Sequence, residues 1–129
     1  MTDFKLDGLD HVAITVSDLD RSIAWYQDKL GLERVHDDAW GGVPTFMVAG
    51  STGLALFPVH SDPSRPKTGP GTISIRHIAF RATRVDFEKA QSVLSSKGVE
   101  FHFQDHDISH SIYFHDPDGH ELEITTYEV

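Results

Sequence analysis

A repeat at half-length constrains this chain more than any other feature. Residues 9–16 read LDHVAITV and residues 75–82 read IRHIAFRA, so that His11 and His77 stand 66 residues apart in a chain of 129. Agreement continues in phase: Leu19-Asp20 matches Val85-Asp86, Ala24 matches Ala90, and Gly31-Leu32 matches Gly98-Val99 after one inserted residue. A match of this extent is read as an internal duplication. Each half must then form the same small unit. A unit of about 65 residues curls too small a sheet to bury both of its faces alone.

The local pattern predicts what that unit is. Residues 9–16 and 73–82 are rich in Val, Ile, Phe and Thr, as strands are. Residues 18–30 carry Leu19, Ile23, Tyr26 and Leu30 at helical spacing, with Ser17 or Asp18 as N-cap and Gly31 as stop. Residues 84–96 repeat this with Val85, Ala90, Val93 and Leu94, ending at Gly98. Three strand-like runs follow each helix, at 33–37, 44–49 and 54–59 and again at 99–104, 109–115 and 120–127, separated by Gly-rich and Asp-Pro turns. The expected class is α+β, a single domain over 1–129 built of two tandem βαβββ modules, 8–60 and 73–129. Residues 61–72, rich in Pro and Gly, are expected to be their connector, or else a flap over a site.

Composition narrows the partners. With 39% apolar and 24% charged residues the chain is expected to be a soluble globular protein. No apolar run approaches the roughly 18 residues of a membrane span, and the first ten residues lack the apolar stretch of a secretory signal. A net charge of −9 disfavours nucleic acid and anionic membrane surfaces as partners. The absence of cysteine removes disulfides, thiolate ligands and cysteine nucleophiles, and cytoplasmic localisation is expected. Nine histidines are left to account for.

Strand parity sorts them. Val12, Ile14 and Val16 share the helix-facing side of the first strand, leaving His11, Ala13 and Thr15 on the other. In the second module Ile78, Phe80 and Ala82 face the helix, and His77, Ala79 and Arg81 face away. Two histidines on equivalent, small-residue faces suit a sheet curling around a metal-binding cavity. In the last strand Glu121, Glu123 and Thr125 lie opposite Leu122 and Ile124, and parity does not choose between the carboxylates, or between a bound one and an exposed edge strand. Tyr113 shares a face with Ser109, Ser111 and His115. His102, His106 and His110 are read as ordinary strand residues, and His60 and His115 as candidates for a general base.

The segments HVAITVSDLDRSIAWYQDKLGL, IRHIAF and SIYFHDPDGHELEI resemble the vicinal oxygen chelate superfamily, which includes glyoxalase I, bleomycin-resistance proteins, fosfomycin-resistance enzymes and extradiol dioxygenases. The resemblance spans nearly the whole chain. It implies a divalent metal (Fe, Mn, Zn, Ni or Co) held by His11, His77 and Glu123, with Tyr113 as a catalytic hydrogen-bond or proton donor and Thr15, Phe57 and Arg81 toward a small-molecule substrate. Two imidazoles and a carboxylate suit such an ion. Four-ligand members of the glyoxalase type carry a second Glu at the duplicate of position 123. The 66-residue offset puts Phe57 there, which argues against glyoxalase I activity. Fosfomycin-type transfer is also disfavoured, because Ala13 and Phe103 stand where that type has a threonine and a lysine, and no basic residue follows Glu123.

The expectation is therefore a metal-dependent enzyme, a lyase, isomerase or dioxygenase, that chelates a small oxygen-rich organic molecule. A non-catalytic, ligand-sequestering protein of the bleomycin-resistance type and an extradiol ring-cleaving dioxygenase are the alternatives. The resemblance also implies a twofold homodimer in which His11 of one chain joins His77, Tyr113 and Glu123 of the other.

Overall fold

Each half opens with a strand whose alternate residues are apolar, and that alternation decides which way its sheet faces. The structure, a computed structural model, describes residues 3–59 and 74–129. The connector at 61–72, its role as a flap, and His60 lie outside the described residues. The chain divides into two compact units, Met1–His60 and Ser61–Val129.

In the first unit β1 (His11–Val16), α1 (Leu19–Leu30), β2 (Glu33–Val35), β3 (Thr45–Ala49) and β4 (Thr52–Pro58) follow in order. Their sheet runs β1-β4-β3-β2, with β1 parallel to β4 and the other pairs antiparallel. The second unit repeats this with β5 (Ile78–Arg81), α2 (Arg84–Ser96), β6 (His102–Asp105), β7 (His110–His115) and β8 (Glu121–Thr126), in the order β5-β8-β7-β6. Again only the first and last strands pair in parallel. A parallel pair needs a long crossover, which the helix supplies. Both units are thus βαβββ with mixed four-stranded sheets, and the α+β expectation holds.

Local chemistry sets the helix ends. The Asp18 carboxylate accepts from the Arg21 amide at 3.0 Å, and Gly31 takes a left-handed φ of 65° to close α1. The Thr83 hydroxyl accepts from the Asp86 amide at 3.2 Å to open α2. α1 buries Tyr26 with Ile14, Val16, Met47, Leu54 and Leu56 among the buried residues of its unit. The second core holds Phe87, Leu94, Ile112, Phe114, Leu122 and Ile124.

Three sequence expectations change here. Val85 and Val93 are not on the inner face of α2, being 60% and 43% exposed. The buried line runs through Phe87, half-buried Gln91 and Leu94, and at about 100° per residue Val85 and Val93 fall off it. β8 is not an edge strand, since β5 and β7 pair with its two sides.

The third correction concerns Phe57. In the second unit Ala79 pairs with Glu123, and in the first Ala13 pairs with Ala55, so Ala55 and not Phe57 is the counterpart of Glu123. Phe57 pairs instead with Thr15. The fixed offset fails because one residue is gained at the end of α2 and another in the β7–β8 turn, which is longer than the β3–β4 turn. Residues 116–120 separate β7 from β8, whereas only Gly50 and Ser51 separate β3 from β4. Ala55, like Phe57, has no ligating atom.

Candidate metal centre

The second unit brings His77 and Glu123 together. His77 immediately precedes β5, whose register with β8 aligns Ile78 with Leu122, so the imidazole falls beside the two carboxylates of β8. Its Nε2 lies 3.0 Å from Glu123 Oε1, and its Nδ1 3.7 Å from Glu121 Oε1. The carboxylates that parity left equivalent differ in burial: the Glu123 side chain is 9% exposed and that of Glu121 40%.

Glu123 is held from behind. The Ser111 hydroxyl, fully buried on β7, donates to Glu123 Oε2 at 2.6 Å and lies 2.9 Å from the Thr125 hydroxyl. One carboxylate oxygen is thereby fixed, and the other faces the imidazole. A carboxylate this buried is costly unless a cation or several donors face it.

Tyr113 pairs with Glu123 across the β7–β8 ladder, and its ring centre lies 5.6 Å from that of His77. Burial first, and then the charge of Glu123, raise its phenol above the ordinary value, because a phenolate would form beside a carboxylate. The phenol is therefore a proton-bearing donor. Its oxygen sits 3.0 Å from His106 Nε2. His77, His106, Tyr113, His115 and Glu121 line an open cleft of about 570 Å³ together with Arg76, His102 and Gln104, and Glu123 lies behind its wall.

Arg76 was not singled out from the sequence, and His102 and His106, read there as ordinary strand residues, stand in the cleft. Strand parity held the signal for the two histidines. His102 pairs directly with Tyr113, so residues 102, 104 and 106 alternate onto the cleft face. His110 points the other way, to Phe103 at 5.3 Å between ring centres and Asp105 at 3.6 Å. Arg81, on β5, holds its guanidinium 5.3 Å from the centre of the Tyr127 ring. His115 is exposed and pairs with Glu121 across the ladder.

In the first unit His11 stands without a carboxylate counterpart to Glu123. Its Nδ1 lies 2.8 Å from Asp10 Oδ2, and its ring centre 4.9 Å from that of Phe46. Phe46 pairs with Ala55 as Tyr113 pairs with Glu123, so an apolar ring stands where the second unit has a phenol. Thr15, on the His11 face, is exposed, and Phe57 opposite it is half-buried.

Among the described residues no group of three His, Asp or Glu side chains is placed to hold a metal ion. Individually the donors fit one. His11 has Nδ1 on the Asp10 carboxylate at 2.8 Å, the outer contact that orients an imidazole for ligation through Nε2, and His77 turns Nε2 to Glu123 and Nδ1 toward Glu121 at 3.7 Å. Within the second unit the nitrogen of His77 and the oxygen of Glu123 are donor types suited to a first-row divalent ion, and the imidazole of His11 in the first unit is another.

The family model of the Glyoxalase/Bleomycin resistance protein/Dioxygenase superfamily matches residues 8–124. The glutathione transferase FosA of Serratia marcescens is 32% identical over 119 residues, covering 92% of this chain and 80% of its own. A metallothiol transferase FosB of Staphylococcus epidermidis is 32% identical over 130 residues, covering 95% and 83%. Among solved structures, a glyoxalase/dioxygenase from Nostoc punctiforme superposes with a TM-score of 0.77 at 25% identity, covering 98% of this chain and 94% of that one. Lactoylglutathione lyase from Agrobacterium tumefaciens, at 24% identity and a TM-score of 0.72 over 94% of each chain, shares the fold.

Proposed function

The chain belongs to the Glyoxalase/Bleomycin resistance protein/Dioxygenase superfamily, and from that premise we propose that it is a metal-dependent enzyme whose His11, His77 and Glu123 hold one divalent ion. A small oxygen-rich substrate binds that ion through two neighbouring oxygens. The observation that carries this reading is the half-site on the second unit, where a buried carboxylate keeps one oxygen on Ser111 and turns the other to His77 Nε2 at 3.0 Å.

When bound, an iron, manganese, zinc, nickel or cobalt ion supplies Lewis acidity to the substrate oxygens. The chain's own residues do the rest. Ser111 holds Glu123 in its ligating orientation, and Asp10 and Glu121 orient the two imidazoles. Tyr113, kept protonated by burial and by Glu123, donates a hydrogen bond or a proton to a substrate oxygen. Arg76, His102 and Gln104 offer hydrogen-bond donors to the parts of the substrate away from the ion. With Ala55 in the place of a fourth ligand, the site keeps positions open for chelation, which argues against the four-ligand glyoxalase I type.

Group transfer is a second reading within this class, favoured by the transferases FosA and FosB and by Arg76. The sequence argument against fosfomycin-type transfer rested partly on a lack of basic donors, and Arg76 in the cleft weakens it. Ala13 and Phe103 still count against fosfomycin itself, since Phe103 packs toward Phe87 and His110. A metal-free sequestering protein has no use for the retained donor set.

Metal analysis of the purified protein tests the proposal. It should hold a divalent ion at micromolar affinity or tighter, and His77→Ala or Glu123→Ala should weaken binding by more than about 100-fold. A protein that binds no such ion, or variants that bind it undiminished, would overturn the assignment.

A further inference from the structure

The two units are duplicates, so each serves as an internal reference for where the other departs from it. β6 and β7 are joined by residues 106–109, a short hairpin connection. The corresponding β2–β3 connection runs from 36 to 44 and contains the 3₁₀ turn Trp40–Gly42. The two hairpins span the same number of residues, since Val35 pairs with Phe46 as His102 pairs with Tyr113, but in the first unit the ladder stops early and leaves an irregular, strained segment. His36 and Trp40 have φ of 58° and 56°, the left-handed region that L side chains avoid, and Asp107 is the one further non-glycine residue there among those described. Closing a hairpin does not require a tryptophan in that conformation. Strain of this kind gathers where a side chain is being aimed.

What it aims is an aromatic surface. The Trp40 ring centre lies 5.6 Å from that of His36 and 6.0 Å from that of Phe46, and His36 is 5.8 Å from Phe46. Phe46 in turn touches His11. The rings of His11, His36, Trp40 and Phe46, with Val48 and Thr52, line a cleft of about 410 Å³, within the range of small-molecule sites. Trp40 remains 56% exposed, so its indole is not core.

We propose that this cleft is an aromatic recognition site, and that the substrate carries a planar aromatic group beside its chelating oxygens. The inference rests on the metal assignment for His11, which forms one wall of the cleft. A molecule whose oxygens reach an ion held by His11 leaves its remaining atoms against Phe46 and Trp40. An aromatic ring gains edge-to-face and offset contacts there that an aliphatic tail does not. An organic cation fits less well, because the acidic wall residue, Asp10, is already engaged with His11 Nδ1 at 2.8 Å.

The test uses mandelate and lactate, which present the same α-hydroxycarboxylate and differ by the phenyl ring. The chain has two tryptophans, so Trp25→Phe leaves Trp40 as the sole indole reporter. In the zinc-loaded protein mandelate should bind about tenfold more tightly than lactate and quench Trp40 emission. Trp40→Gly, which relaxes the left-handed backbone, should reduce that preference to about twofold or less and leave zinc affinity unchanged; Phe46→Leu should act likewise. Zinc binding with equal affinity for the two acids, or an undiminished preference in Trp40→Gly, would overturn the inference and leave the metal assignment standing. If the protein holds no iron, manganese, zinc, nickel or cobalt, the metal assignment falls, and benzoate against acetate decides the aromatic site: quenching of Trp40 by benzoate alone sustains it, and no quenching overturns it. A Trp40→Gly protein that loses self-association, with no aryl preference in the parent, would show that Trp40 serves contact between copies instead.

Discussion

Ser111 is the residue on which the half-site turns. Its hydroxyl is the donor that fixes Glu123 Oε2, and it is fully buried, so no solvent takes its place when it is removed. Ser111→Ala should weaken zinc binding by about 10- to 100-fold, the usual cost of losing an outer-sphere partner. It should also lower stability by about 1–3 kcal/mol in the metal-free protein, because a buried carboxylate oxygen loses its donor. Chelator competition and urea unfolding measure the two effects separately, and an unchanged zinc affinity would remove Ser111 from the site. Parity put Glu121 and Glu123 on one face of their strand and His77 on the face of its own strand away from the helix, and the family resemblance joined His77 to Glu123; that much was legible in the sequence. What distinguishes the carboxylates is burial, which depends on β8 being central and on a serine from another strand. Spacing along one strand carries neither fact.

At the scale of elements, turns and strands keep different records of the duplication. Within a strand the register cannot slip by one residue without turning its core face to solvent. Length differences therefore collect outside the strands, one extra residue at the end of α2 before Gly98 and another in the β7–β8 turn. That is why the offset holds at His11 and His77 yet misassigns Phe57, and why Ala55 emerges only once the ladders are seen. The same pairing makes Gly53 specific. It lies opposite His11 and Val48, and a Cβ there would stand 2.6 Å from the Met47 carbonyl oxygen. Gly53→Ala should cost about 1–3 kcal/mol by overpacking a rigid ladder. Gly31→Ala, with open space around it but a φ of 65°, should cost about 1 kcal/mol. Urea midpoints check the order, and an alanine tolerated freely at Gly53 would contradict this packing.

For the whole molecule, the proposed ion requires His11 from one unit and His77 with Glu123 from the other kind of unit, and exchange between two copies of the chain satisfies that. His11→Ala and Glu123→Ala should each fail to hold zinc, and their mixture should recover it, with one intact site in each mixed dimer. A chain that sediments as a monomer, or mixed variants that exchange subunits without regaining zinc, would sink the exchanged arrangement. The duplicated fold has a further consequence, visible in the pairs Phe46 with Tyr113, Ala55 with Glu123, and Gly53 with Glu121. One unit carries the carboxylates, the phenol and His77, and the other carries His11 without a carboxylate or phenol counterpart. The halves then differ in what a mutation can change: one in the 36–44 segment alters the aromatic wall and leaves the Ser111–Glu123–His77 contact intact, so new substrate ranges should arise more readily there than at those three residues.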